Sequence, residues 1–180
     1  MQADKLLTPL HLGAVTLANR VLMAPLTRLR NTEPGDVPTA LAIDYYRQRA
    51  GAGLIINEGT HISPTAKGYA GAPGIYSEEQ VRAWREVNDA VHAAGGKIAL
   101  QILHTGRYSY QENLVSASPI CAPINFYRPR EMSEDDIQRT IADFARCAKL
   151  AQDAGYDGVE VMGSEGYLIN QFIVRHTNKR

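Results

Sequence analysis

The sequence is poor in cysteine, with only Cys121 and Cys147 among 180 residues, and it contains no long hydrophobic run. The two cysteines stand far apart, without a CxxC pair or a metal-type spacing, and none of the five histidines is followed by another at i+4, so no metal site is predicted. No apolar stretch approaches the ~20 residues of a membrane helix, and the start MQADKLL lacks the apolar core of a signal peptide. We therefore predict a reduced, cytoplasmic protein that does not enter a membrane.

The charge balance excludes a second group of functions. Lys plus Arg and Asp plus Glu number 19 each, so the chain has no global basic field that would draw nucleic acid or an anionic membrane surface. With 44% hydrophobic and 21% charged residues, the composition is that of an ordinary globular domain with a sizeable core. We expect a small molecule as the partner, bound in a local site.

Segments with strand character alternate with segments of helical periodicity. The predicted strands lie at 20–25, 54–57, 97–100 and 158–162, and the predicted helices at 39–50, 77–94 and 133–154. The strands are apolar without polar alternation, which is typical of a parallel sheet covered on both faces. Residues 6–19 are predicted to form a small hairpin, and 109–130 a long loop or lid. The pattern indicates an α/β fold of four parallel βα units.

Polar residues follow the predicted strands at their carboxyl ends, where parallel α/β barrels carry their chemistry. Thr27, Gly59 and Gln101 follow the first three strands, and Glu165 and Tyr167 follow the fourth. A phenol, with an unperturbed pKa of about 10, holds a proton at neutral pH that it can give to a developing carbanion. Each residue alone also fits a structural role: a turn or cap for Thr27, a local hydrogen-bond network for Gln101, and a half-buried turn residue for Tyr167.

Taken together, four spaced motifs resemble the old yellow enzyme family of FMN-dependent ene-reductases. They are APLTR at 24–28, Gly59, QILHTGR at 101–107 and GSEGYLINQF at 163–172. The resemblance implies that residues 1–180 form the N-terminal half of a (β/α)8 TIM barrel. Residues 1–95 are similar to the N-ethylmaleimide reductase branch, and residues 95–180 to bacterial 2,4-dienoyl-CoA reductase. We interpret the change near Gly95 and Gly96 as a fusion junction in a recombined or engineered chain.

The resemblance also implies a cofactor, FMN, and a reductant, NAD(P)H. Tyr167 would protonate the substrate carbon after hydride arrives from flavin N5. By the resemblance, backbone groups and two side chains would hold the isoalloxazine ring. The backbone groups are those around Pro25 and Leu26 and that of Gly59. The side chains are the hydroxyl of Thr27 and the amide of Gln101.

Departures from the ene-reductase pattern direct the substrate prediction. Met162 and Glu165 stand where that branch has two histidines, or His and Asn, and Leu103 stands where it has Trp. By resemblance to the dienoyl-CoA branch, Glu165 would modulate Tyr167, and Leu103 would leave room for an acyl chain. The segment that approaches the acyl thioester would be His176, Thr177 and Asn178. An acyl-CoA substrate is thus expected ahead of a small enone.

Two other interpretations stay open. A four-stranded sheet exposes two edges and an apolar inner face, which predicts a homo-oligomer or a complementary half-barrel as partner. The chain would then be a non-catalytic module. A flavin-free barrel lyase or isomerase that uses Glu165 and Tyr167 rests on fold analogy alone. Because half of the family's flavin site lies outside the motifs found here, we expect the isolated chain to show little turnover.

Overall fold

The structure is a computed structural model that describes residues 3–180. A short helix and a hairpin precede the alternating part of the chain: α1 (Ala3–Leu6), β1 (Leu10–Leu12) and β2 (Val15–Leu17). The elements that follow are β3 (Leu22–Met23), α2 (Ala40–Arg47), β4 (Leu54–Ile56), β5 (Thr60–His61), α3 (Glu78–Ala93), β6 (Ile98–Leu103), β7 (Val115–Ser116), β8 (Arg130–Glu131), α4 (Glu134–Asp153), β9 (Gly158–Val161) and α5 (Leu168–Ile173).

The central sheet is parallel throughout. Its order is β3, then β4 and β5, then β6, then β9, with β4 beside the first half of β6 and β5 beside the second half. The second predicted strand therefore corresponds to two short strands, β4 and β5, which share one position in the sheet. Asn57 stands at the break between them. There the side chain accepts a 3.1 Å hydrogen bond from the Gln101 backbone N–H and donates a 2.7 Å bond to the Tyr156 hydroxyl. Four βα units follow one another, as predicted.

The two long helices are capped by Ser77 and Ser133, the first residues of the predicted ranges 77–94 and 133–154. Ser77 and Gln80 form a reciprocal capping box at the start of α3, and Ser133 and Asp136 form one at the start of α4. Four fully or largely buried side chains of α3 recur at helical spacing: Val81, Trp84, Val87 and Val91. Among residues 3–180, no helix combines the length and the apolar character that crossing a membrane requires.

The sheet has a core on each face. Ile55, Ile98 and Leu100 are fully buried against the helices, in the same cluster as Trp84. The opposite face carries Leu54 and Ala99, which pack on Leu17 of the hairpin, because successive side chains of a strand point to opposite faces. The hairpin therefore covers the inner face of the sheet at the amino ends of the strands and leaves the carboxyl ends open.

The outer strands depart from the predicted burial. Both β3 and β9 were expected to be buried, but Leu22 is 47% exposed and Val161 is 52% exposed. Each strand has a neighbour on one side only within the described residues, so no adjacent strand covers Leu22 or Val161 from the other side. The prediction of two exposed edges, made from the count of strands, agrees with this arrangement.

Candidate functional site

A cleft lies at the carboxyl ends of the parallel strands. It encloses about 90 Å³, below the ~300–1,000 Å³ usual for small-molecule sites. Seven of the eleven residues predicted from the sequence line it: Pro25, Thr27, Gly59, Gln101, Leu103, Glu165 and Tyr167. Residues from all four sheet positions therefore meet at one place, because the carboxyl ends of parallel strands lie at the same edge of a sheet.

Gln101 has a defined side-chain position in the wall of the cleft. It is buried in β6, and its Nε2 donates a 2.7 Å hydrogen bond to Oε1 of Glu160 and a weaker contact of 3.6 Å to Sδ of Met162. A carboxylate without a proton only accepts hydrogen bonds, so Glu160 holds the amide nitrogen. The amide oxygen of Gln101 is left to accept a hydrogen bond from another group.

Gly59 sits where a side chain would not fit. A Cβ atom built at this residue would lie 2.5 Å from Cδ2 of Leu103 and 3.1 Å from Oε1 of Gln101. The glycine thus lets the backbone between β4 and β5 pass close to two cleft residues. A larger residue would fill the space between them.

Tyr167 immediately precedes helix α5, at its N-cap position, and its hydroxyl faces a second phenol. Its hydroxyl lies 3.2 Å from the hydroxyl of Tyr69, and its ring meets the ring of Tyr108 edge to face at 6.1 Å. Burial, followed by the hydrogen bond with Tyr167, raises the pKa of Tyr69 well above its usual value. Tyr69 therefore keeps its proton and can donate it in a hydrogen bond to the Tyr167 oxygen.

A tight turn places Glu165 and Tyr167. Glu165 has φ of 60° and Gly166 has φ of 82°, in the left-handed region that favours glycine. The turn is held by α5, because Oδ1 of Asn170 accepts from the Gly166 N–H at 3.1 Å and Nε2 of Gln171 donates to the Gly166 carbonyl at 2.7 Å. A strained but well-supported turn thus presents a carboxylate and a phenol to the same cleft.

Sequence reasoning missed His61 as a cleft residue. The side chain is 1% exposed, and neither ring nitrogen has a hydrogen-bond partner within residues 3–180. Burial lowers the pKa of His61 to about 4, so the imidazole is neutral at pH 7. The signal was present in the sequence, because His61 follows Gly59 by two residues and i, i+2 residues of an extended chain share a face.

Four predicted site residues lie outside the cleft: Leu26, His176, Thr177 and Asn178. Leu26 is exposed beside Pro25, and His176 is exposed after α5. The Thr177 hydroxyl donates to the Gln171 carbonyl at 2.8 Å, and Nδ2 of Asn178 donates to the Phe172 carbonyl at 2.8 Å. In this structure, these two side chains satisfy carbonyls of α5.

Comparison with known proteins agrees with this arrangement. The model of the NADH:flavin oxidoreductase / NADH oxidase family matches residues 5–180. The chain belongs to this family. Chanoclavine-I aldehyde reductase fgaOx3 of Penicillium roqueforti is 45% identical over 186 residues, which cover 98% of this chain and 50% of that protein. For 12-oxophytodienoate reductase 1 of Oryza sativa, the identity is 44% over 190 residues, with coverage of 99% and 50%.

Solved structures of this family share the fold. Morphinone reductase in complex with tetrahydroNAD superimposes with a TM-score of 0.93 at 42% identity, covering 97% of this chain and 53% of that one. The old yellow enzyme homologue of Zymomonas mobilis gives 0.93 and 42%, with coverage of 98% and 53%. The old yellow enzyme resemblance and the half-barrel fold are thus confirmed. The chain spans about half the length of the relatives it matches.

Family membership confirms the expected cofactor, since its enzymes are NADH:flavin oxidoreductases that use FMN. The side chains of the cleft are chemically suited to a flat heterocycle with polar edges. Gln101, Thr27 and Gly59 line the cleft together with Tyr69 and Tyr167, whose hydroxyls lie 3.2 Å apart. These groups can hold such a ring and place a proton donor beside it.

Proposed function

We propose that this half-barrel contributes to the FMN-dependent reduction of activated C=C bonds, with NAD(P)H as the source of electrons. The convergence of Thr27, Gly59, Gln101 and Tyr167 on one cleft carries this proposal. These residues are far apart in the sequence, and the parallel sheet brings them to the same end. The family assignment supports the type of reaction, and the lining of the cleft supports the residues proposed to take part in it.

In the proposed complex, the residues of this chain hold one side of the flavin ring. The Gln101 oxygen accepts from the ring edge, Gly59 leaves room for the ring, and the Thr27 hydroxyl donates to it. The backbone at Pro25 and Leu26 completes this side. Bound FMN supplies hydride transfer, while the protein supplies binding and orientation. The small volume of the cleft, about 90 Å³, fits a wall of a larger site.

Tyr167 is the proposed proton donor to the substrate carbon. Its hydroxyl proton would form the new C–H bond, and the Tyr69 hydroxyl at 3.2 Å would donate a hydrogen bond to the phenolate that remains. Glu165, two residues before Tyr167 in the same turn, would modulate this acid through its charge. General acid catalysis of this kind contributes about 10²- to 10⁴-fold.

For the substrate, we propose a 2,4-dienoyl thioester ahead of a small enone. Met162 and Glu165 place a thioether and a carboxylate in the cleft. A thioether and an ionised carboxylate donate no hydrogen bond, so they bind a ketone oxygen poorly. Leu103 is smaller than an aromatic residue and leaves space for an acyl chain. In the proposed complex, His176, Thr177 and Asn178 approach the thioester after the segment rearranges.

The experiment separates flavin binding from chemistry. The purified chain is titrated with FMN by fluorescence, then mixed without oxygen with photoreduced FMN and either 2,4-hexadienoyl-CoA or cyclohexenone. We expect FMN to bind and the dienoyl thioester to reoxidise it faster, with Tyr167→Phe retaining binding but losing about 10²-fold in rate. Equal rates for Tyr167→Phe and the parent would contradict the proposed acid.

The isolated chain is expected to show little steady-state oxidation of NAD(P)H. The described residues form one wall of the proposed site, so the reduced flavin would be poorly shielded and poorly oriented for hydride transfer. Absorbance at 340 nm with added FMN measures this directly. Robust turnover by the chain alone would show that these residues suffice for the complete reaction.

A second candidate function is that of a non-catalytic half-barrel module that associates with itself or with a complementary half. The exposed edge residues Leu22 and Val161 support it. So does an apolar groove between α4 and α5 that includes Ile141, Phe144 and Phe172. Size-exclusion chromatography with and without FMN separates the candidates: an oligomer without flavin favours the module, and a monomer that binds flavin tightly contradicts it.

We also propose that residues 1–180 are one half-barrel domain whose two parts meet near residue 95. Gly95 has φ of 80° and an open surface around it, and Gly96 packs on Ala50, so the proposed junction coincides with the connection from α3 to β6. A natural source whose full-length sequence carries the same join would remove the fusion hypothesis while leaving the single domain in place.

A further inference from the structure

A second cavity lies between the segment after β3 and helix α2. Three arginines face it together with an aromatic ring, an aliphatic side chain and a buried carboxyl: Arg28, Arg30, Arg49, Tyr45, Leu41 and Glu58. We name it the arginine pocket. It encloses about 280 Å³, close to the lower end of small-molecule sites at ~300 Å³. It shares no lining residue with the cleft, although Arg28 follows Thr27 in the chain.

Tyr45 orders two of the three guanidiniums. The Cζ atom of Arg28 lies 4.1 Å from the centre of the Tyr45 ring, and that of Arg49 lies 3.8 Å from it. Nη1 of Arg49 also donates a 2.7 Å hydrogen bond to the Tyr45 carbonyl. Stacking on an aromatic face uses the π surface of a guanidinium and leaves its N–H edge available. Both groups are thus positioned before any ligand arrives.

Three arginines and two carboxylates, Asp44 and Glu58, line the arginine pocket, so arginines outnumber carboxylates there. Within residues 3–180, neither Arg28, Arg30 nor Arg49 forms an ion pair with a carboxylate. Asp44 forms its ion pair with Arg47, at 2.9 Å. Arg30 and Arg49 are exposed and Arg28 is partly buried, so their guanidiniums are solvated and available to an anion that enters the pocket.

Glu58 does not supply the missing acceptor. Its carboxylate accepts from the Arg28 backbone N–H at 3.0 Å and from the Tyr46 hydroxyl at 3.3 Å. Burial raises the pKa of Glu58, while the backbone hydrogen bond from Arg28 and the charge of Arg28 act in the opposite direction. The Arg28 guanidinium donates no hydrogen bond within the described part of the chain, and a guanidinium has five N–H donors.

We propose that the arginine pocket binds a phosphate group carried by a small molecule. A phosphate dianion offers two negative charges and several acceptor oxygens, and each of the three guanidiniums keeps N–H donors for it. Arg30 and Arg49 use only Nη1, on backbone carbonyls. Leu41, Ala42 and the Tyr45 ring form an apolar wall for the organic part of the ligand. This site goes beyond the proposed flavin chemistry, because none of its residues lines the cleft.

Calorimetric titration at low ionic strength tests the proposal with three probes: inorganic phosphate, phenyl phosphate and benzoate. We expect saturable binding of phosphate, tighter binding of phenyl phosphate because of the apolar wall, and the weakest binding of benzoate. Arg28→Gln and Arg49→Gln should each weaken phosphate binding about tenfold, the loss expected for one charge-assisted hydrogen bond. Added salt should weaken binding further.

Matched variants separate the site from net charge and from misfolding. Arg82→Gln removes an equal charge from the exposed face of α3, where Arg82 contacts Glu78 at 3.6 Å, and should leave binding unchanged. Arg28→Lys keeps the charge but loses the planar arrangement of N–H donors. We expect the change in log Kd for phosphate to be about half of that in Arg28→Gln. Thermal unfolding of each variant confirms folding.

Three outcomes would overturn the proposal. They are no saturable phosphate binding by the folded parent chain, equal binding by the parent and both Gln variants, and tighter binding of benzoate than of phenyl phosphate. The last result would assign the pocket to carboxylates. None of these results depends on whether the cleft binds FMN.

Discussion

The side-chain amide of Gln101 donates a 2.7 Å hydrogen bond to the carboxylate of Glu160 on the neighbouring strand. The two residues are register partners of β6 and β9, so the bond joins two adjacent strands at the level of the cleft. Since a carboxylate accepts and does not donate, the amide nitrogen of Gln101 points toward Glu160. The amide oxygen then lies on the side of Gly59, where a Cβ would come within 3.1 Å of it.

This relationship predicts a role for Glu160 in flavin binding. In Glu160→Gln, the new amide can donate as well as accept, so the orientation of Gln101 is no longer fixed. We expect the Kd for FMN to rise about tenfold, measured by flavin fluorescence. A flavin methylated at N3 cannot donate from that position and should lose less affinity on the same substitution. Glu86→Gln, on the exposed face of α3, is the control. Unchanged FMN affinity in Glu160→Gln would show that the amide is held by other contacts.

The pair of phenols predicts a rate effect without a binding effect. Tyr69→Phe removes the hydroxyl that lies 3.2 Å from the Tyr167 hydroxyl and keeps the ring. We expect reoxidation of reduced FMN by an alkene to slow about five- to tenfold, the value of one hydrogen bond, while FMN affinity stays the same. Stopped-flow absorbance of the flavin measures the rate. Tyr110→Phe is the matched control, because the Tyr110 ring lies 5.6 Å from the Tyr69 ring and its hydroxyl is not part of the pair.

Sequence periodicity predicted the elements well because local physics determines them. Ser77 and Ser133, the first residues of two predicted helix ranges, cap their helices. The break between β4 and β5 was not predicted. Asn57 stands there, and its side chain bonds to Gln101, 44 residues away, and to Tyr156, 99 residues away, which only the folded chain brings together.

The exposure of the outer strands also could not be predicted from the sequence. A run such as that of β9 has the composition of a buried strand, and only the number of neighbouring strands decides whether Val161 is covered. Five cleft residues could be predicted from strand ends that converge: Thr27, Gly59, Gln101, Glu165 and Tyr167. Pro25 and Leu103 were predicted from the family resemblance alone. The contacts of Thr177 and Asn178 with α5 depend on the path of the last segment.

Gly59 provides a prediction about stability. In Gly59→Ala, the new methyl group would meet Cδ2 of Leu103 at 2.5 Å, so the chain or the leucine must move. We expect the free energy of unfolding to fall by about 1–3 kcal/mol, as for other overpacked sites, measured by urea denaturation. Gly51→Ala is the control, since a Cβ there has no neighbour within 4 Å. In the Leu103→Ala background, Gly59→Ala should cost less. Equal costs in both backgrounds would place the strain elsewhere.

Two buried histidines predict a loss of stability in mild acid. Burial lowers the pKa of His61 to about 4 and that of His104 to about 3, from 6.5 in the unfolded chain. Below pH 6.5, the unfolded state therefore binds protons that the folded state does not, so this stability is present at pH 7 and falls as the pH approaches 4. Asp36, Lys67 and Glu33 act on His61 by charge, and His61 acts on His104.

The expected loss between pH 7 and pH 5 is about 2 kcal/mol for each histidine. Urea unfolding across this range measures it as a slope of free energy against pH. His61→Gln should reduce that slope, whatever it does to stability at pH 7, because the substituted side chain takes up no proton. His11→Gln, at an exposed position of β1, should leave the slope unchanged. A slope that His61→Gln does not alter would mean that the folded chain opens to protonate His61 without unfolding.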